Sequence, residues 1–181
     1  AGAARSGTTW LNAILGTPEH VSYIRYEPLM VRRHPETRYG EKVLEWRSQP
    51  IWHRDPIAPE QQPYKDIILK HVEALCQHYF GGPVDTFIIK DPHPQYVPFL
   101  LDALAPDHVV VIRRHPLGVI NSYDKNNLYE RWGVPADFSN FCKSLPVVLP
   151  EFQEAADQVQ KGSEQIAFMV YAGHYYLRGQ L

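Results

Sequence analysis

The sequence predicts an α/β protein, a three-layer arrangement in which a parallel sheet carries helices on both of its faces. Two observations lead to this prediction. Short apolar, β-branched runs alternate along the chain with longer segments of helical period. The clearest of these runs, Val109 to Ile112, is apolar at every position, which is typical of central strands in parallel sheets.

Composition excludes several classes of protein. The chain has 181 residues, of which 44% are hydrophobic and 21% are charged, and its net charge is −2. This composition is typical of a globular domain, so residues 1–181 are assigned to a single domain. It provides no overall positive field that would recruit nucleic acid or an anionic membrane. No apolar run approaches the roughly 20 residues that a membrane-spanning helix needs.

Cysteine and histidine usage indicates neither a disulfide framework nor a metal site. Cys76 and Cys142 are too few for such a framework or for a cysteine-only zinc site, and we expect core thiols, with a single bridge as the alternative. The nine histidines show no H-x-x-x-H or H-E-x-x-H spacing. No metal is therefore expected.

In the first half of the chain, capping residues and prolines define the predicted elements. Thr8 or Thr9 caps a helix that continues to about Leu15, and a short strand is predicted from Val21 to Tyr26. Residues 27–63 are proline-rich and predicted to be irregular, apart from one or two helical turns at 41–47.

The second half contains the strongest helical pattern. Apolar side chains recur at helical spacing from about Lys65 to Phe80, and glycines end the predicted helix there. The later predictions are a strand at 86–89, a helix at 97–105, a strand at 109–112, a helix at 116–123 and mainly helical structure from 137 onward. Because the chain opens in a loop and closes within a helix, we expect an incomplete domain, truncated at both ends.

Cations follow the predicted strands. The opening loop carries Arg5, the strand at 86–89 leads into Lys90, and the strand at 109–112 leads into Arg113 and Arg114. Ligands of parallel sheets bind beyond the carboxyl ends of the strands. Cations and helix N-termini gathered at that edge predict a site for a ligand with more than one anionic group.

The opening loop approximates the phosphate-binding pattern G-x-x-x-x-G-K-[ST]. Gly2 and Gly7 have its spacing and Thr9 supplies its hydroxyl, but Thr8 stands in the position of the lysine. That lysine reaches the β- and γ-phosphates in nucleoside triphosphatases, so its loss argues against such hydrolysis. The alternative interpretation is a turn before a capped helix.

Two sequence motifs resemble motifs of sulfotransferases and follow each other in the order found in that family. The segment Arg5-Ser6-Gly7-Thr8-Thr9-Trp10 looks like the 5′-phosphosulfate loop of that family. Arg114, with Pro116 and with Ser122 eight residues after the arginine, resembles its 3′-phosphate motif. Glu27-Pro28 and Lys90-Asp91-Pro92 are similar to weaker recurrent segments of bacterial and carbohydrate sulfotransferases.

The resemblance implies the P-loop NTPase-like fold of sulfotransferases and a specific reaction. The donor would be 3′-phosphoadenosine 5′-phosphosulfate, whose sulfuryl group passes without a metal to an acceptor hydroxyl, with a carbohydrate or glycolipid favoured. The implied catalytic residues are Glu27 as general base, with Lys90 and Arg5 stabilising the leaving group. The implied donor-binding residues are Arg5, Ser6, Gly7, Thr8, Thr9, Trp10, Arg114 and Ser122.

Alternatives stay open for individual residues. Histidine is the base in part of the family, so four histidines rival Glu27: His34, His53, His71 and His93. Glu27 could instead be a solvated loop carboxylate, and Lys90 a strand-end lysine paired with Asp91 or another acid. His71 is expected at the surface or at the edge of the core. Trp10 could be a packing residue, and the tyrosines at 171, 175 and 176 are expected in the core.

Two other functions compete. One is a non-catalytic nucleotide-binding fragment, because the cation-bearing loop found late in many sulfotransferases has no match before Leu181. The other is a P-loop kinase or NTPase, with Asp91 as a magnesium ligand. The resemblance to bacterial members implies a cytoplasmic protein, with the Golgi lumen as the alternative if an anchor has been lost.

Overall fold

The computed structural model describes residues 7–34, 36–48, 59–93, 96–131, 138–139, 141–143, 145–146, 149–160 and 162–180. Within these ranges the chain is rich in helix and contains a small parallel sheet. The coarse α/β class predicted from the sequence is therefore confirmed.

The sheet pairs two strands that are far apart in sequence. Strand β1 (Val21–Tyr23) lies parallel to β2 (Thr86–Ile88), with Val21 opposite Thr86 and Tyr23 opposite Ile88. Both strands therefore end at the same edge of the sheet. Helix α1 (Thr8–Leu15) precedes β1 and ends at Gly16. A Cβ on Gly16 would clash with the ring of Tyr23, so any larger residue at this turn would have to displace that ring.

The strand predicted at 109–112 is wrong. Val109 and Val110 are 40% and 49% exposed, and Ile112 alone forms an isolated bridge. An apolar, β-branched run favours a strand because its side chains pack well in a buried sheet, but here Val109 and Val110 lie partly in solvent. In the described part of the chain the sheet has two strands, so the larger three-layer sheet predicted from the sequence is not seen there.

Most predicted helices are present, with shifted ends. The helices after α1 are α2 (Gly40–Ser48), α3 (Gln62–Phe80), α4 (Val97–Leu104), α5 (Pro116–Asn126), α6 (Leu128–Arg131), α7 (Gln153–Gln158) and α8 (Ser163–Gln180), and of these α6 has no counterpart in the prediction. Short 3₁₀ helices lie at Val31–Arg33, Pro59–Gln61 and Pro150–Phe152. None of the described helices is long and apolar enough to span a bilayer.

One hydrophobic core joins α2, α3 and α4 to the turn after β1. Trp46 of α2 and Phe99 of α4 are fully buried, with ring centroids 4.9 Å apart. Ile68 of α3 and Leu29 of the turn complete the centre of this cluster. The segment that follows β1 is thereby anchored to three helices through Leu29.

A second region packs α5 against α8. Val119, Tyr123, Ile166 and Val170 form its apolar cluster. Tyr176 is buried as predicted, but the prediction is wrong for the tyrosines at 171 and 175, which are 59% and 49% exposed. These two residues are four apart and share one helix face, whereas Tyr176 lies about 100° further around. Cys76 and Cys142 are both free thiols.

Candidate functional site

The side chains of Thr9, Glu27 and Lys90 meet at the carboxyl edge of the sheet. Lys90 follows β2, Glu27 follows β1, and Thr9 lies in the first turn of α1. Lys90 Nζ lies 2.7 Å from Glu27 Oε1 and donates a hydrogen bond of 3.0 Å to Thr9 Oγ1. We call these three residues the strand-exit cluster. The acid that pairs with Lys90 is thus Glu27 rather than the neighbouring Asp91.

The ion pair of this cluster is shielded from water. The Lys90 side chain is 6% exposed and the Glu27 side chain 12% exposed. Glu27 is therefore not the solvated loop carboxylate that the sequence allowed. Charges in such surroundings attract more strongly than surface charges, and dissolved salt screens them less.

The N-terminus of α1 brings backbone donors to the same edge. Gly7 has a left-handed backbone conformation, with φ 100°, and precedes the first helical residue. The first helical hydrogen bond runs from Leu11 N to Gly7 O, so the N–H groups of the residues before Leu11 have no partner within the helix. Trp10 is 70% exposed, which argues against the packing role considered for it. Arg5 and Ser6, from the same motif, lie outside the described residues.

Next to the cluster, Asp91 and His93 form a second polar pair. Asp91 Oδ1 accepts hydrogen bonds from His93 N at 2.8 Å and from His93 Nδ1 at 2.9 Å. Burial raises the pKa of Asp91, but His93 and Arg47 outweigh burial and hold that pKa below its ordinary value. In the neutral tautomer whose Nδ1–H donates to the carboxylate, Nε2 of His93 can accept a proton, which is the arrangement of a general base.

The predicted 3′-phosphate residues lie at α5. Arg114 precedes the helix, and its Nε lies 2.8 Å from where a Cβ on Gly118 would stand. The arginine side chain therefore lies along the helix face that carries Gly118. Ser122 is four residues further on and shares that face. This placement is consistent with a common role for Arg114 and Ser122.

Two of the histidines that rival Glu27 as general base use both ring nitrogens in hydrogen bonds within the protein. His71 is fully buried, whereas a position at the surface or at the edge of the core was predicted, and both of its ring nitrogens are hydrogen-bonded, to Thr37 and to Pro28. His34 likewise uses both nitrogens, on Tyr79 and on Glu27 O. His53 lies outside the described residues. The spacing of His71 with the buried Ile68 and Leu75, three residues before it and four after it, could have revealed its burial.

Comparisons with protein-family models, with curated proteins and with solved structures find no match for this chain. The residues of the chain itself define a helix-rich α/β protein in which a shielded lysine–carboxylate pair and a helix N-terminus share one edge of a parallel sheet.

Proposed function

We propose that this protein is a sulfotransferase with the P-loop-like fold of that family, and that it uses 3′-phosphoadenosine 5′-phosphosulfate as donor. The observation that carries the proposal is the strand-exit cluster. Its members come from three separate segments that resemble sulfotransferase motifs, and Thr9 and Lys90 are 81 positions apart. Hydrogen-bond contact among the three supports a single site at these segments.

The protein would bind the sulfuryl donor through both of its anionic groups, the 5′-phosphosulfate and the 3′-phosphate. The N–H groups that open α1, together with the loop residues Arg5 and Ser6, would hold the 5′-phosphosulfate. The Lys90 ammonium has three N–H groups, and two of them are directed to Glu27 and Thr9. The third N–H would bind the phosphosulfate of the sulfuryl donor. Arg114 would hold the 3′-phosphate with Ser122, since guanidinium groups suit phosphate geometry.

The reaction would be an in-line displacement at sulfur. The acceptor oxygen forms a bond to sulfur while the bond from sulfur to the 5′-phosphate oxygen breaks. The proton of the acceptor hydroxyl passes to the carboxylate of Glu27, and 3′-phosphoadenosine 5′-phosphate leaves. Lys90 stabilises the charge that develops on the leaving oxygen. A hydroxyl of a carbohydrate or glycolipid is the acceptor we favour.

Glu27 and His93 are the two candidate bases in the described part of the chain. Glu27 stands in the cluster itself, and its carboxylate is already in contact with Lys90. His93 has the Asp91 partner that would fix its tautomer. We favour Glu27 because its contact places it beside the ammonium that would face the breaking bond.

A labelled-transfer assay tests the proposal. The chain is incubated with sulfur-35-labelled donor and a panel of oligosaccharides, glycolipids and 4-nitrophenol, beside Glu27→Gln and His93→Gln. General-base catalysis typically contributes about 10²–10⁴-fold, so Glu27→Gln should lower turnover by that range without weakening donor binding. His93→Gln is the matched control and should retain most activity. The opposite pattern would assign the base to His93.

The competing functions give different results in the same experiments. A non-catalytic nucleotide-binding fragment binds 3′-phosphoadenosine 5′-phosphate but labels no acceptor. A kinase or NTPase requires magnesium and consumes ATP. Against this last function, one oxygen of Asp91 is occupied by His93, and its other oxygen is buried.

A further inference from the structure

Three successive backbone carbonyls after β1 each accept a hydrogen bond from a side chain. Glu27 O accepts from His34 Nε2 at 2.7 Å, and Leu29 O accepts from Arg47 Nη1 at 2.8 Å. Between them, Pro28 O accepts from His71 Nε2 at 3.1 Å. A carbonyl can only accept, so each of these nitrogens is the donor and the tautomer of each neutral histidine is fixed.

The three donors approach from different parts of the fold. His34 follows the 3₁₀ helix at 31–33, Arg47 lies on α2, and His71 lies on α3. The turn also closes on itself, since Met30 N donates to Glu27 O at 2.9 Å. A surface turn normally offers its carbonyls to water. Here protein donors hold the turn on several sides, which fixes its position relative to the helices.

The same network reaches the other partner of the ion pair. Arg47 acts electrostatically on the buried Asp91, and its guanidinium lies 5.2 Å from the centre of the Tyr96 ring. Asp91 directly follows Lys90 in the chain. One arginine therefore contacts the turn that carries Glu27 and influences the strand exit that carries Lys90.

We infer that His34, Arg47 and His71 are positioning residues, which hold the Glu27–Leu29 turn so that the Glu27 carboxylate meets Lys90. As a statement about catalysis the inference rests on the proposed function, but the contact it explains can be measured without any activity. None of the three needs to touch a substrate in this role. Each acts through a backbone carbonyl.

The test compares His34→Gln with His34→Asn. The amide nitrogen of glutamine reaches the position of the histidine Nε2 and can still donate to Glu27 O. The side chain of asparagine is too short to bring its amide nitrogen there. His34 is only partly buried, so both variants should fold, as circular dichroism would verify. Tyr79→Phe removes the other partner of His34 and serves as control. The readout is the protected ¹H–¹⁵N signal of the Lys90 ammonium, assigned by its absence in Lys90→Met.

The signal should be present in the wild type, in Tyr79→Phe and in His34→Gln, and lost or exchange-broadened in His34→Asn. Turnover should follow it, with kcat at least about tenfold lower in His34→Asn and KM for the donor unchanged, because displacements of about 1 Å can cost about 10²-fold. A signal that persists in His34→Asn, or is missing from the wild type, overturns the inference. Failure to bind 3′-phosphoadenosine 5′-phosphate, with the predicted signal pattern intact, contradicts the proposed function alone.

Discussion

Removing both partners of the Lys90–Glu27 pair should cost less stability than the two single losses added together. At the 2.7 Å separation and an effective dielectric constant of about 20, the attraction is about 6 kcal/mol before desolvation is counted. Desolvation of the two nearly buried charges offsets much of this, so the net value of the pair is small. Lys90→Met alone leaves a carboxylate shielded and unpaired, and we expect it to lower the free energy of unfolding by about 3 kcal/mol.

Glu27→Gln should cost less, about 1–2 kcal/mol, because the amide oxygen still accepts a hydrogen bond from Lys90. The double variant should then be more stable than the sum of the single losses predicts, with a coupling of about 1–3 kcal/mol. Urea unfolding at pH 7 measures all four free energies. The Lys42–Glu45 pair is the matched control, since its atoms are also 2.7 Å apart but its side chains are 59% and 48% exposed.

The control pair should show a much smaller coupling, which added salt weakens further. The Lys90–Glu27 coupling should persist in salt, because its charges are shielded from solvent. If the loss of unfolding free energy in the double variant equals the sum of the two single losses to within about 0.5 kcal/mol, the reasoning is refuted, since independent sites behave additively.

Two further predictions concern α5 and α3. Gly118→Ala should displace Arg114, because its Nε would lie 2.8 Å from the new Cβ, and should thereby lower the affinity for 3′-phosphoadenosine 5′-phosphate. Thermal stability should not fall, because alanine favours helix more than glycine does. An affinity that calorimetry finds unchanged in Gly118→Ala would contradict the role given to Arg114. Burial lowers the pKa of His71 below its ordinary 6.5, so below that pH the unfolded chain takes up a proton that the folded chain does not. The free energy of unfolding should therefore be highest above pH 6.5 and fall as the pH drops from 7.5 to 5.5; no change across that range in urea titrations would be the contrary result.

The features that could be predicted from the sequence depend on local patterns. Helix α3 follows from apolar residues at helical spacing and from Gly81, which ends it in a left-handed conformation. The positions of Glu27 and Lys90 at one sheet edge follow from a general property of parallel strands, which exit on the same side. Their direct ion pair could not be predicted, because the sequence offered Asp91 equally well.

The features that could not be predicted depend on distant partners. Val109 and Val110 have the composition of a buried strand, but the sequence cannot show how much of them the rest of the fold will cover. The donors on the Glu27–Leu29 turn leave no sequence signal at all, since any residue has a backbone carbonyl. The prediction for His71 is wrong because the polarity of histidine favours the surface, whereas this residue lies on the apolar face of α3, where its two hydrogen bonds make burial tolerable.

The most direct test of the account is a calorimetric titration of the chain with 3′-phosphoadenosine 5′-phosphate in the absence of magnesium. Arg114→Ala is measured beside it, with Arg113→Ala as the matched control. We predict binding at micromolar strength that weakens about tenfold or more in Arg114→Ala, which corresponds to about 1.4 kcal/mol, and changes less in Arg113→Ala. A folded chain that does not bind this nucleotide, or that binds it equally well without Arg114, would contradict the proposal of a sulfotransferase donor site.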